Sequence, residues 1–275
     1  MTRLMFSRLF LFSLLSLTVH AQPIGDGKAV DTTAVQTRVD AGGAVRFGRG
    51  TYRITKPVVV DLDKTGFLSL SGDGVARFVM EGAGPAFHFK GTHGGTDDPM
   101  SLKPEIFARQ RTPMVDGIEI VGAHDEADGI EAAGTMQITL TRVSVHEARH
   151  GIHLTGRNRN VIISDCHLYH NSGAGVFYDH VDLHQSNITG CHISYNAGGG
   201  VVTRGGGVRN LHIGTCDIES NMAPDAAPTA NVLIDCTEGS TAEVSITGCT
   251  IQHNSVSPGS ANVRFIGKGK PYGND

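Results

Sequence analysis

The chain has 275 residues, 36 of them Gly and none Trp, and a formal net charge of −4. That length suits one large domain, and a mildly acidic balance gives no electrostatic reason to hold nucleic acid. Its five Cys, an odd number, argue against a complete disulfide framework.

The first segment in chain order does not read as part of the fold. Arg3 and Arg8 precede an apolar run over residues 9–19, and Val19-His20-Ala21 brings small residues to the positions that flank a cleavage site. This is the layout of a signal peptide cleaved after Ala21. The run is shorter than the roughly 20 residues that a membrane span needs. The expected product is a secreted or periplasmic protein that is not integral to a membrane. Cleavage removes two cations and no acid, taking the net charge from −4 to −6. An acidic polysaccharide partner would then need a local basic patch or a bridging cation.

Residues 22–90 read as an N-terminal cap followed by the first coils of an all-β stack. Asp31 precedes Thr32-Thr33-Ala34-Val35-Gln36, which predicts a short helix capped by the Asp31 side-chain oxygen. Such a helix would cover strand edges that otherwise invite aggregation. Gly50-Thr51-Tyr52 reads as a turn into a strand. The strand pattern lapses over residues 91–113, which predicts a long loop excursion. Long loops on a rigid scaffold often carry function. Its cations Lys103, Arg109 and Arg111 either lean over a groove or belong to a solvated loop.

Residues 114–267 carry an internal repeat. Cys166, Cys191 and Cys216 stand 25 residues apart, and Cys249 follows after 33. Ile163, Ile188, Ile213 and Ile246 lie three residues before them; Leu168, Ile193, Ile218 and Ile251 lie two after. Asn171, Asn196, Asn221 and Asn254 lie five after. An earlier copy has Val143 for Cys and Ala148 for Asn. Units this short cannot bury an apolar face alone, whereas stacked units bury a continuous core. The repeated Cys then form a ladder of small buried groups. The Asn are expected in left-handed turns, hydrogen-bonding along the stack. The extra length of the long coil fits a loop at residues 222–229. A propeller would need repeats nearer 40 residues, and a leucine-rich repeat a different Leu pattern. Residues 268–275 read as a polar tail. No segment reads as a helix closing the last coil, and nothing in the sequence sets an oligomeric state.

The opening also carries an ordered signature. Gly25-Asp26-Gly27 is followed by the Asp31-Thr32-Thr33-Ala34-Val35-Gln36 element, then GGAVRFGRGTYRI at residues 42–54, then LSLSGDG at residues 68–74. Over about fifty residues this resembles the start of the pectate-lyase superfamily. The resemblance implies a single-stranded right-handed parallel β-helix of the pectin-lyase-like kind, with a short N-terminal capping helix. The signature itself reads as architecture and not as an active site.

Short strands after each Asn turn start at Gly129, Gly151, Gly175, Gly200, Asn231 and Asn262. If Ile130, Ile152, Val176, Val201 and Val232 point inward, alternation gives one outward column of Glu131, His153, Phe177, Val202, Leu233 and Arg264. The next column holds Ala133, Thr155, Asp179, Arg204, Asp235 and Ile266. Asp179, Arg204 and Asp235 therefore fall on successive coils, either as reactive groups or as a surface ion-pair ladder. The resemblance implies two chemistries. In β-elimination, Asp179 and Asp235 would face the uronate carboxylate, with Ca²⁺ as a possible bridge, and Arg204 or His153 would be base or charge clamp. In hydrolysis, Asp179 and Asp235 would be acid and base. The polygalacturonase signatures Asn-Thr-Asp and Gly-His-Gly are absent from the sequence, and its one Asp-Asp pair, Asp97-Asp98, stands without them.

Nine of the fourteen His lie between His146 and His212. His180 and His184 stand four apart, a spacing that suits metal ligands on a helix but not on a coil of strands, so no metal site is assigned. His150, Arg149, Arg157 and Arg159 surround one turn, where they form a cationic rim or serve as polar turn residues. Glu131, Arg149, His150, Arg157 and Arg264 complete the candidate substrate contacts. His167 and His192 are expected to stack outward. Two functions follow: an exported enzyme cleaving an acidic polysaccharide, or a non-catalytic glycan-binding or adhesion module.

Overall fold

The computed structural model describes residues 22–94, 99–254 and 257–268. Residues 1–21, read as a signal peptide, lie outside them, as do 269–275 of the tail. The described strands form one sheet of twenty-two strands, and every strand pairing in it is parallel. Between the end coils, strands pair with the coil before and the coil after, so the sheet winds round an axis.

The repeat sets the register. Ile163, Ile188, Ile213 and Ile246 lie opposite one another on successive coils, as do Leu168, Ile193, Ile218 and Ile251. Cys166, Cys191 and Cys216 are buried and free of disulfides. The Cys191 thiol donates to the carbonyl of Ile163, 3.7 Å away, and Cys216 to that of Ile188 at 3.7 Å. Each thiol also has a nearer carbonyl on its own coil, Thr189 at 3.4 Å for Cys191 and Gly214 at 3.2 Å for Cys216. At the N-terminal end, Phe47, Tyr52, Phe78 and Phe87 form a chain of ring contacts with centroids 4.9–5.5 Å apart, which fills the first coils.

Helix α1 (Thr32–Asp40) covers the first coil and buries Val35 and Val39 completely. The expected cap is a correction. Asp31 makes no side-chain bond to α1. Its carboxylate instead accepts from the N–H groups of Ile24 and Gly25 at 2.7 and 3.1 Å, which pins the incoming chain. Gln36 does the edge-blocking. Its amide accepts from the Val59 N–H and donates to the Val59 carbonyl, both at 2.8 Å, standing in for a neighbouring strand.

The left-handed residues are a second correction. Glu147, His170, Tyr195 and Ser220 hold φ between 51° and 57°, each one residue before the expected Asn position. The Asn that follow turn inward and are buried. Asn171 Nδ2 donates to Asn196 Oδ1 and Asn196 Nδ2 to Asn221 Oδ1, each at 2.7 Å. The next rung is Asn231 at 2.9 Å, followed by Asn262 at 2.8 Å. Asn254 is not a rung: it is exposed, and its amide bonds Glu219. A Cβ on Gly175 or Gly200 would come within 3.0 or 2.9 Å of the ladder amides of Asn196 and Asn221. The strand-opening Gly therefore leave room for an Asn contributed by the turn. Where the strand opens on Asn231 or Asn262, that side chain takes the place itself.

The excursion is not a plain loop. It holds α2 (Pro104–Gln110), fastened by Gln110, which accepts from the Thr92 N–H and donates to Thr92 Oγ1 and Asp63 Oδ1. Arg109 donates to the Asp63 carbonyl, and Arg111 lies over the Phe67 and Phe107 rings. Both cations hold the excursion to the stack. His93, beneath it, is 2% exposed, and Arg157 Nε donates to its Nε2 at 3.3 Å. Burial first, and then the Arg157 charge, pushes the imidazole down to about 4. The buried ring is neutral, so its contribution to stability is complete above the unfolded value of about 6.5 and is lost as pH falls toward 4. Urea midpoints should therefore fall over that window in the wild type and fall less in His93→Gln.

At the other end, Val263 and Phe265 continue the inward row of Val232 and Ile234 but are 39% and 61% exposed. Among the described residues nothing covers that last layer.

Candidate functional site

Ile130, Ile152, Val176, Val201 and Val232 stack inward in one column and are fully buried. The outward neighbours therefore fall in two columns on one strand face. Glu131, His153, Phe177, Val202, Leu233 and Arg264 form the first, with His88 one coil before Glu131. Asp179, Arg204 and Asp235 stand side by side in the second. Val202 and Leu233 point out of the stack yet are only 2% and 4% exposed, packed in a separate apolar cluster with Ala174 and Ala230.

The three charges of the second column do not form a uniform ladder. Arg204 Nε lies 3.5 Å from Asp235 Oδ2. Asp235 also accepts from the Thr237 N–H and hydroxyl. Burial raises the Asp235 carboxyl, but the Thr237 bonds and the Arg204 charge outweigh it and hold the group below the ordinary carboxylate range. Asp179 is shared by two imidazoles instead. His153 Nε2 lies 3.0 Å from Oδ2 and His180 Nδ1 lies 2.6 Å from Oδ1. Burial again raises it, and the two His contacts bring the net shift below the ordinary range.

His153 faces a second carboxylate. Its Nδ1 is 3.6 Å from Asp128 Oδ2, too far for a hydrogen bond but close enough for charge attraction. Burial lowers the His153 imidazole, yet Asp128 and Asp179 together raise it above the ordinary value. Asp128 is 1% exposed and binds Arg149 through both oxygens at 2.9 and 2.6 Å. It also accepts from the His150 N–H at 3.0 Å. Burial works against its charge, but these contacts hold it well below the usual range. The Phe177 ring stacks on His153 with centroids 5.4 Å apart, and the Arg204 guanidinium lies 6.0 Å from the centre of that ring. Glu131 accepts from the Thr155 hydroxyl at 3.1 Å and lies 3.6 Å from His88.

Three of the four expected rim members, Arg149, His150 and Arg157, do not stand as free cations. Arg149 is neutralised by Asp128. His150 is driven down to about 4, chiefly by burial, and is neutral near pH 7. Arg157 is 6% exposed, and its guanidinium meets His93 and Ser101, so it does not reach solvent as a substrate contact. Arg264 sits on the last described strand, bonded to the Gly259 carbonyl. His167 and His192 stack as expected, centroids 5.0 Å apart.

Two important partners were not among the sequence candidates. Asp128 has the inward parity of Ile130, the usual mark of a core residue; the neighbouring Arg149 was the clue to a buried ion pair. His180 follows Asp179 directly, and alternation alone would send the two to opposite sides. A φ of 47° at His180 bends the strand there and returns the imidazole to Asp179.

Among the described residues no group of three or more His, Cys, Asp or Glu is arranged to hold a metal ion. The Asp179–Asp235 pair does not suit Ca²⁺. Arg204 stands between them on the stack, both carboxylates already carry protein donors, and the ion asks for about six to eight oxygens. No described helix is long and apolar enough to cross a membrane.

Residues 115–251 match the family model described as a right handed beta helix region. The chain belongs to the right-handed β-helix family. Several solved structures resemble it in fold, among them the following two. ORF18 of Geobacillus virus E2 is 16% identical, with a TM-score of 0.60 over 89% of this β-helix. This chain spans 58% of that protein's length. The A-module of the mannuronan C-5 epimerase AlgE6 of Azotobacter vinelandii is also 16% identical, with a TM-score of 0.50 over 86% of this chain and 77% of the module. No curated protein matches the β-helix in sequence. At this level of identity the likenesses show the fold alone.

Proposed function

We propose that this β-helix binds an acidic polysaccharide across the strand face and cleaves it by β-elimination at a uronate unit. The observation that carries this reading is the sharing of one half-exposed carboxylate, Asp179, between His153 and His180. Asp179 accepts the Nδ1–H of His180, which leaves Nε2 as the basic edge once the imidazole is neutral; the exposed Glu238 carboxylate, 3.4 Å from Nε2, must give way to the sugar there. His180 is exposed and can reach a sugar. It takes the C5 proton, the electron pair forms the C4–C5 double bond, and the glycosidic oxygen leaves C4 and takes a proton from water. His153, whose protonated form Asp128 and Asp179 favour, and Arg204 pair with the uronate carboxylate as charge builds on it. The mannuronan epimerase among the structural neighbours is consistent with an acidic glycan.

Hydrolysis by Asp179 and Asp235 is disfavoured by the same electrostatics. A glycosidase acid must hold its proton near neutral pH, and both carboxyls are shifted the other way. We read the protein as exported, with a mature chain starting at Gln22; N-terminal sequencing of the secreted product checks this. The activity test is a panel of polyuronates with and without Ca²⁺. Ultraviolet-absorbing unsaturated ends are expected, with no requirement for the ion. New reducing ends without unsaturation would replace elimination by hydrolysis. Saturable binding without product would mark a glycan-binding module.

A further inference from the structure

A pocket of about 390 Å³ opens beside the proposed reacting groups. One side is the turn before the strand Ile152–Ser164, carrying His150. Phe177 and Arg204 border it on the strand face. The opposite wall is the insertion at residues 222–229, whose excess length marks the long coil. This wall is built in: Thr229 Oγ1 donates to the Gly198 carbonyl at 2.9 Å, Ser257 Oγ to the Ala223 carbonyl at 3.1 Å, and the Ala226 N–H to the Ala223 carbonyl at 3.2 Å. Phe177 belongs to both places. It lines the pocket and stacks on His153, so a group seated in the pocket lies beside the groups proposed to hold the uronate carboxylate.

Besides the hydroxyl residues Ser172 and Thr229, whose Oγ1 already donates to the Gly198 carbonyl, three kinds of side chain bear on the choice of ligand. Ala174, Ala197, Ala226 and Ala227 present methyl groups. Arg204 brings one cation. His150 brings a neutral ring whose Nδ1 accepts from the Ala174 N–H at 3.0 Å, which fixes its proton on Nε2. We propose that this pocket takes an acetyl ester on the bound polysaccharide, so that the preferred substrate is an O-acetylated polyuronate. The inference rests on the proposed function of the strand face. An acetyl ester is uncharged, has a carbonyl that can accept from the imidazole N–H, and ends in a methyl that packs on the alanines. It has no donor to leave unpaired. A bare uronate would set its carboxylate against Arg204 and leave the methyl-lined part unfilled.

The test measures dissociation constants for mannuronate, galacturonate and glucuronate oligomers of matched length, each O-acetylated and after saponification. Wild type, Ala226→Leu and Ala227→Leu are compared. Both alanines lie on the insertion and outside the stacked strands, and unchanged melting temperatures confirm that the variants fold. In the series bound best, the acetylated form should bind about tenfold tighter, a usual return for one small group in a fitted pocket. Either Leu should bring the ratio of the two forms close to one. Equal affinities in the wild type overturn the acetyl subsite and leave the strand-face function standing. A ratio that survives both Leu variants also overturns it. If no uronate oligomer of either form binds, the subsite and the strand-face function fall together.

Discussion

Asp179→Asn should lower kcat/KM for polyuronate cleavage by about 10²–10⁴, the range for losing a positioned proton-transfer group. The substitution keeps size and shape but removes the charge that two imidazoles share. The Asn amide offers one acceptor where the carboxylate offered two, so His153 or His180 loses its partner. The pH profile separates this from a general loss of fold. His180 must be neutral to act as base, and its contacts with Asp179 and then Glu238 raise its value. Wild-type activity should therefore climb with pH through a midpoint above the ordinary His value of about 6.5. In the residual activity of Asp179→Asn that midpoint should move down. A full-strength Asp179→Asn enzyme, or a profile that does not move, removes Asp179 from the site.

The second large effect is on stability. Asn196→Ala should cost about 3 kcal/mol, because each buried polar group left unpaired costs about 1–3 kcal/mol. Asn196 Oδ1 accepts both the Asn171 N–H and the Asn171 amide. Its own amide donates to the Leu168 carbonyl at 2.9 Å and to Asn221 Oδ1. Truncation strips partners from both adjoining coils in a site closed to water. Asn254→Ala is the internal control: its side chain is exposed and outside the ladder, and the expected change is below about 0.5 kcal/mol. Urea midpoints for the two variants check this. Equal losses would mean that the ladder holds no special share of the stability.

The winding was legible because the stack repeats the same inward side chains at the same interval, and a parallel in-register sheet turns that interval directly into contacts. The 25-residue spacing of Cys166, Cys191 and Cys216 thus carried the register of Ile163, Ile188 and Ile213. The Asn ladder was legible only in part. Counting five residues after each Cys finds Asn171, Asn196 and Asn221. It then selects Asn254, because the count does not follow which residue opens the next strand. The replacement of Gly by Asn at positions 231 and 262 was visible in the aligned strand starts, and it is there that the ladder changes its source.

The strand face shows the same division. Alternation placed Asp179, Arg204 and Asp235 in one column and His153 beside them. It could not supply the partners, since these depend on bends and burial. Asp128 is held inside by the bidentate Arg149, and His180 is returned to Asp179 by its left-handed backbone. Arg157 was misread as a rim cation because the excursion that buries His93 beside it has no repeat from which to infer its path.

The most direct measurement is hydrogen exchange at C5 of the uronate units, followed by NMR in deuterated water, for wild type and His180→Asn with a polyuronate that the protein binds. Proton removal by His180 predicts loss of the C5 proton signal, as unsaturated ends or as deuterium on intact units, with wild type and a drop of at least about 100-fold in the variant. Undiminished C5 signals with the wild-type protein, or equal exchange in His180→Asn, would contradict it.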